Sequence, residues 1–224
     1  MKQANIKEQH TIRASRLISC VTALGIAFTV ALPVAAQTTT VTPPVVPDNL
    51  QVPAPNEAFL VGHAVGTQNY TCLPSSSVGH VAWTLFTPEA TLFGEQKEQL
   101  ITHYFSPNPF ENGTTIRATW QDSGDASTVW GRVNASSSDP NFVTRGAIPW
   151  VLVQVVGAEA GPTGGDTLSK TTTFIQRVNT FGGSAPPTGC DLPTDIGNKA
   201  FMPYTADYVF YELPASTSTA PGRN

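Results

Sequence analysis

Charged residues are scarce in this 224-residue sequence. They make up 12% of the chain, with 12 Lys and Arg against 16 Asp and Glu, so the net charge is −4. Ordinary soluble proteins carry roughly 25% charged residues. A surface that binds nucleic acid needs clustered Lys and Arg to displace the counterions of the phosphates. We therefore expect no nucleic-acid partner for this protein.

Several sequence motifs for catalysis and cofactor binding are also missing. A dinucleotide site needs a GxGxxG turn between a strand and a helix, and "GPTGGD" at residues 161–166 lacks that spacing and is typical of a hairpin loop. There is no GxSxG turn for a serine nucleophile and no CxxC pair for redox chemistry or zinc. The sequence therefore predicts no cofactor and no metal site.

The first 36 residues have the pattern of a secretory signal peptide. Four basic residues and one acid precede an apolar run at residues 17–34, and Val34 and Ala36 are the small residues expected before a cleavage site. Cleavage after Ala36 removes four of the 12 basic and one of the 16 acidic residues, which leaves 8 against 15. A retained membrane anchor is the competing interpretation. We expect a secreted product, extracellular or periplasmic, without membrane insertion after cleavage.

Cys72 and Cys190 remain after that cleavage. Two cysteines in an oxidising compartment most simply form one disulfide. The long loop between them would make the crosslink stabilising, on the order of 4 to 5 kcal/mol in the loop-entropy model.

The mature chain divides into three parts. Residues 37–55 are rich in Pro and Thr and predict a linker, residues 56–213 form the body, and residues 214–224 predict a disordered tail. A helical turn is hinted at only around residues 95–104. Eight short segments of the body are rich in β-branched and aromatic residues and are separated by turn residues. They are "FLVGHAVG", "HVAWTLF", "THYF", "TIRATW", "STVWGRV", "PWVLVQVV", "TFIQRVNT" and "YTADYVFYE". We predict an all-β fold, a single-domain β-sandwich or partly closed β-barrel with one disulfide.

Four stretches of the body form a specific series of motifs. They are "GTQNYTC", "HYFSPNPFENGTTIRATWQDSGDASTVWGRV", "GAIPWVLVQVVGAEAGPTGGDTLSKTTTFIQRVNTFGGSAPPTGC" and "YTADYVFYE". This series resembles a family of secreted bacterial and fungal proteins known only as a domain of unknown function, over about residues 56–212. The resemblance implies no activity and no catalytic residues. Some fungal members carry a malate dehydrogenase label, which this sequence does not support because it lacks the dinucleotide motif.

Candidate site residues come from the region around His103. An imidazole oriented by Asp122 or Asp125 could act as a general base or bind a metal, whereas a histidine at a strand end is often purely structural. Trp120, Gln121 and the same two aspartates offer a ring for stacking and polar groups for hydroxyls, which suits a glycan or a small apolar molecule.

Polar residues inside predicted strands form a second candidate set. Gln68, Gln154 and Gln176 need hydrogen-bond partners if they are buried, so they predict a buried polar network or contacts with a ligand. Alternation along "FIQRVNT" places Gln176 and Arg177 on opposite faces. We expect Gln176 to point inward and Arg177 outward, paired with an acid such as Asp207.

Three hypotheses for function follow. The first is a non-catalytic extracellular or envelope-associated binding module. The second is a hydrolase-type enzyme that uses His103 with Asp122 or Asp125. The third is a structural or stress-response envelope protein without a discrete site. A deep cleft with His103 beside a carboxylate would favour the enzyme, a shallow aromatic strip would favour the binding module, and a closed, filled barrel would favour the structural protein.

Overall fold

The computed structural model describes residues 41–77, 79–112 and 114–214. The predicted signal peptide and residues 215–224 of the predicted tail lie outside this part of the chain. Eight antiparallel strands form a closed barrel in which each strand pairs with the next one and the last pairs with the first. The all-β prediction with one disulfide is confirmed, and the barrel is fully closed.

Each of the eight segments predicted from composition matches one strand, and four of them begin one residue before it. The strands are β1 (Glu57–Pro74), β2 (Val81–Phe93), β3 (Gln99–Pro107), β4 (Ile116–Asp122), β5 (Thr128–Ser137), β6 (Trp150–Glu159), β7 (Thr172–Gly182) and β8 (Lys199–Glu212). Short 3-10 turns lie at Asp48–Leu50 and Pro193–Asp195. The helical turn expected around residues 95–104 is wrong, because a tight turn there leads directly into β3. The β6–β7 hairpin predicted around "GPTGGD" is confirmed.

The two ends of the barrel differ. We call one end the mouth; there β1, β3, β5 and β7 finish and the other four strands begin. The opposite end is the base. At the base, the loop of residues 160–171 places the fully buried side chain of Leu168 among the interior residues. The base is therefore filled by side chains.

The barrel core consists of inward-facing side chains from all eight strands. Alternate side chains of β8, those of Tyr204, Ala206, Tyr208 and Phe210, point into this core. Its other buried members are Ala64, Ala90, Leu92, Ile101, Trp120, Val129, Ile148, Val151, Val153, Leu168 and Ile175.

A second hydrophobic group, the outer cluster, lies on the outside of the barrel wall. Its buried members are Val46, Leu50, Val143, Trp150, Leu152, Val178, Val209 and Tyr211. Residues 41–52, which we call the arm, belong to the stretch predicted as a linker, yet the arm packs here and buries Leu50 completely. The arm covers an apolar strip on the outside of β6, β7 and β8. These strands are therefore apolar on both faces, because each face is buried.

The disulfide braces one side of the mouth. Cys72 near the end of β1 is bonded to Cys190 in the β7–β8 loop, with the two Cα atoms 5.5 Å apart and a sequence separation of 118. The indole of Trp83 on β2 donates a hydrogen bond to the Thr188 carbonyl in the same loop. The β1–β2 hairpin and this loop are therefore tied together.

Candidate functional site

The mouth of the barrel opens into a cavity of about 410 Å³. Its walls are mainly apolar, and its polar lining residues are Gln, His and Arg with no Asp or Glu among them. The lining residues are Gln68, Leu85, Pro88, His103, Phe105, Ile116, Arg117, Ala118, Trp120, Gly131, Arg132, Val133, Val151, Val153 and Arg177. Ligand pockets in proteins typically measure about 300 to 1,000 Å³, so this cavity has room for a small molecule.

His103 and Trp120 are neighbours in the floor of this cavity. They are paired across β3 and β4, and their rings stack with centroids 4.4 Å apart and an interplanar angle of 11°. Tyr208 from β8 packs its ring against both, 5.2 Å from His103 and 5.9 Å from Trp120. The floor is thus a rigid aromatic layer, below which the barrel core is filled.

His103 is a neutral imidazole at ordinary pH. Its Nδ1 lies 2.8 Å from the carbonyl oxygen of Thr119, which can only accept a hydrogen bond. Nδ1 therefore carries the proton, and Nε2 is left as the acceptor nitrogen. Burial in the floor lowers the pKa of His103 to about 3, against an ordinary value of 6.5, because the charged form would lose its hydration.

Three cavity-lining residues carry a buried nitrogen without a hydrogen-bond acceptor among the described residues. They are Gln68 at Nε2, Trp120 at Nε1 and Arg177 at Nε. All three atoms are donors. An unpaired buried donor costs roughly 1 to 3 kcal/mol, so this concentration in one cavity favours an acceptor supplied by another molecule.

The arginines of the cavity differ in how their charges are balanced. Arg117 forms a bidentate ion pair with Glu111, with nitrogen–oxygen distances of 2.7 and 2.6 Å. Arg132 donates to the side-chain oxygen of Gln154 at 3.2 Å. Arg177 donates to the carbonyl of Pro149 at 2.9 Å, and none of the described carboxylates is within ion-pair distance of it. Arg177 is therefore a cation with only a neutral partner.

The orientation predicted for β7 is the reverse of the observed one. Ile175 and Arg177 point into the barrel, whereas Gln176 points outward into the space beneath the arm. There Gln176 donates to the Leu50 carbonyl at 2.6 Å and accepts a hydrogen bond from the Tyr211 hydroxyl. The predicted parity was correct, but the buried face that Gln176 shares with Val178 belongs to the outer cluster.

Asp207 is not the partner of Arg177, because β8 places it on the outside of the barrel. Its carboxylate is 2.7 Å from Nδ1 of His63 and also accepts a hydrogen bond from Asn179 at 2.8 Å. The carboxylate beside the imidazole raises the pKa of His63.

The structure does not bring the predicted surface around His103 together. Gln121 points away from the cavity and its amide donates to Thr128. Asp122 accepts hydrogen bonds from two backbone N–H groups of its own turn at the base. Asp125 accepts from the backbone of Ser127 and Thr167, which fastens the β6–β7 loop to that turn. Neither aspartate is a hydrogen-bond partner of His103.

The three candidate amides do not form a single network. Gln68 lines the cavity, Gln176 lies in the outer cluster, and Gln154 is partly exposed beside Arg132. Among the tryptophans, Trp120 alone lines the cavity, while Trp130 and Trp150 are buried on the outside of the wall against Phe110 and Phe142.

A larger depression of about 520 Å³ lies elsewhere, between the arm and the β2–β3 turn. Its lining includes Val41, Glu95 and Glu98 but none of the unpartnered buried donors. The mouth cavity is therefore the better candidate.

Within the described ranges, no group of three His, Cys, Asp or Glu residues could hold a metal ion. No helix there is long and apolar enough to span a bilayer.

Residues 53–212 match the family model described as "Protein of unknown function (DUF3455)". This chain belongs to that family. No curated protein and no solved structure matches the sequence. The DUF3455 region contains all eight strands and every residue that lines the mouth cavity, whereas the arm precedes it. The cavity is therefore a feature of the DUF3455 domain itself.

Sequence reasoning named His103, Trp120 and Gln68 but missed Arg177 as a cavity residue. In the structure Arg177 shares its parity with Ile175, and the register pairs it with Val151 and Tyr208 of the barrel core. Local sequence carries no signal of that register, so it could not place Arg177 inside.

Proposed function

We propose that this protein is a secreted, non-catalytic binding domain that holds a small, mainly apolar molecule in the mouth of its barrel. The observation that carries the proposal is the mouth cavity, with mainly apolar walls and three buried donors for which the described part of the chain provides no acceptor. A ligand that leaves water for these walls gains the hydrophobic effect, and an acceptor atom on it would satisfy the donors. A glycan suits the cavity less well, since its many hydroxyls would face apolar walls.

The geometry gives less support to the other two hypotheses. The hypothesised enzyme uses His103 with Asp122 or Asp125, but the Thr119 carbonyl is the partner of His103 Nδ1 and both aspartates accept hydrogen bonds from backbone N–H groups of turns. A purely structural protein needs no cavity, and filling the mouth with side chains would have stabilised the fold.

Export is the second part of the proposal. A disulfide that closes 118 residues is typical of proteins that fold in an oxidising compartment. We expect the product recovered from cells to lack the first 36 residues and to carry an oxidised pair, both of which intact-mass spectrometry reports. A full-length mass, or free thiols at both cysteines, would contradict export.

Titration with the neutral fluorescent probe N-phenyl-1-naphthylamine tests binding in the mouth. We expect saturable binding to the oxidised mature protein and its loss in Ala118→Trp, because Ala118 lines the cavity and an indole there would fill it. Ala82→Trp is the matched control, since Ala82 is exposed and does not line the cavity. Binding that Ala118→Trp leaves intact would place the probe elsewhere, and a wild-type protein that binds no probe would refute the proposal.

A further inference from the structure

We infer that the ligand of the mouth cavity is an amphipathic monocarboxylate, whose head group pairs with Arg177 and whose apolar part lies against the walls of the mouth. This inference rests on the proposed function and adds the chemical class of the ligand. It depends on the charges that line the cavity, on the donors beside Arg177 and on the distribution of apolar surface.

Charge is the first argument. Three arginines line the cavity and none of the described acidic residues does, although the chain as a whole has an excess of acidic residues. The Arg117 charge is matched by Glu111, and Arg132 is solvent-exposed beside a neutral amide. Only Arg177 combines partial burial with the absence of a described acid partner. One uncompensated positive charge in a confined site calls for a ligand with one negative charge.

The neighbouring groups support a carboxylate in particular. Besides the guanidinium of Arg177, Gln68 and Trp120 each supply an unpartnered N–H in the same cavity. A carboxylate has two oxygens with about four acceptor positions, so it can receive several such donors at once. His103 adds no second cation, because its Nδ1–H is committed to the Thr119 carbonyl and its ring is neutral. For the second charge of a dianionic phosphate monoester, the cavity offers only the solvent-exposed Arg132.

The apolar surface supplies a place for the rest of the ligand. Leu85, Ile116 and Val133 line the mouth and remain 36%, 53% and 54% exposed. Exposed large aliphatic side chains around a cavity lose water contact when an apolar chain enters between them. The head group would thus lie beside Arg177 and the tail would run outward along these three side chains.

A matched pair of ligands tests the inference. Octanoate and octanamide have nearly the same shape, and only octanoate is charged. Each would be titrated against the oxidised mature protein loaded with N-phenyl-1-naphthylamine, and displacement would be followed by fluorescence. We expect octanoate to bind about tenfold to a hundredfold more tightly than octanamide, which is the effect of a hydrogen bond to a charged group.

Variants assign that preference to one residue. Arg177→Met keeps the apolar stem and removes the charge, so the preference for octanoate should vanish while the neutral probe still binds. Arg177→Lys keeps the charge and should retain part of the preference, which also covers the case in which the methionine variant does not fold. Arg145→Met, at an exposed position outside the cavity, should behave as the wild type does.

The outcomes separate the two proposals. If the neutral probe binds but octanoate and octanamide displace it equally, or if Arg177→Met keeps the preference, the carboxylate inference is wrong and the proposed function stands. If neither the probe nor either ligand binds the wild type, the proposed function fails and the inference fails with it.

Discussion

Leu50→Ala tests whether the arm at residues 41–52 is part of the folded domain or only a linker. Leu50 is fully buried in the outer cluster, and its carbonyl is the acceptor for the buried amide of Gln176. Leucine-to-alanine changes in protein cores cost about 2 to 5 kcal/mol, the removed methyl groups and the residual cavity both contributing. Because the arm lies at the surface and can shift inward, we expect a value in the lower part of this range, about 2 to 4 kcal/mol.

Thermal unfolding measures this loss. For a domain of this size, 1 kcal/mol corresponds to about 2 to 4 °C, so Leu50→Ala should lower the melting temperature by about 4 to 16 °C. The arm also contains its own control pair: Val46 is 6% exposed in the outer cluster, whereas Val45 is 81% exposed. Val46→Ala should therefore destabilise measurably, and Val45→Ala should stay within about 0.5 kcal/mol of the wild type. If Leu50→Ala is as stable as Val45→Ala, the arm contributes nothing and the burial argument is wrong.

Two further measurements check the disulfide and the histidines. The double variant Cys72→Ser and Cys190→Ser should have a free energy of unfolding about 2 to 5 kcal/mol lower than the wild type in urea denaturation. Addition of reductant should then have no further effect on this variant. A variant as stable as the oxidised wild type would contradict the loop-closure argument. In NMR titrations, His103 should stay neutral down to about pH 3 and His63 should titrate above 6.5. Because folding lowers the pKa of His103, its contribution to stability is present above pH 6.5 and is lost as the pH falls towards 3. Because folding raises the pKa of His63, its contribution to stability is present below pH 6.5 and is lost at higher pH. A His103 resonance that titrates near 6.5 would show that the ring is not buried as described.

The strands were predictable because local composition identifies them. Alternation along β8 places Tyr204 and Tyr208 on one face, which the structure shows to be the core face, and the β6–β7 hairpin followed from its glycine-rich turn. Closure of the barrel was harder to predict, because it depends on pairing between β1 and β8 at opposite ends of the chain. A local pattern carries no information on that pairing, so a sandwich and a barrel were equally consistent with the sequence.

The candidate site was predicted only in part, for a related physical reason. Alternation assigns Gln176 and Arg177 to opposite faces, but it assigns them to inside and outside only if one face is buried. Here the arm buries the outer face as well, so Gln176 is buried outside the barrel while Arg177 lines the cavity. The prediction that Asp122 or Asp125 lies beside His103 failed for another reason. Both carboxylates accept hydrogen bonds from backbone N–H groups of a turn at the base of the barrel.

The disulfide and the cavity are mechanically connected. Gln68 and Cys72 lie on the same strand, and Cys190 lies in the loop that follows the strand of Arg177. The crosslink therefore ties the β7–β8 loop to the strand that carries Gln68. A site that holds a small head group gains affinity when its donors are already in position, since less conformational entropy is lost on binding. We therefore expect the oxidised protein to bind more tightly than the reduced one even where both are folded, which would make export a condition for binding as well as for stability.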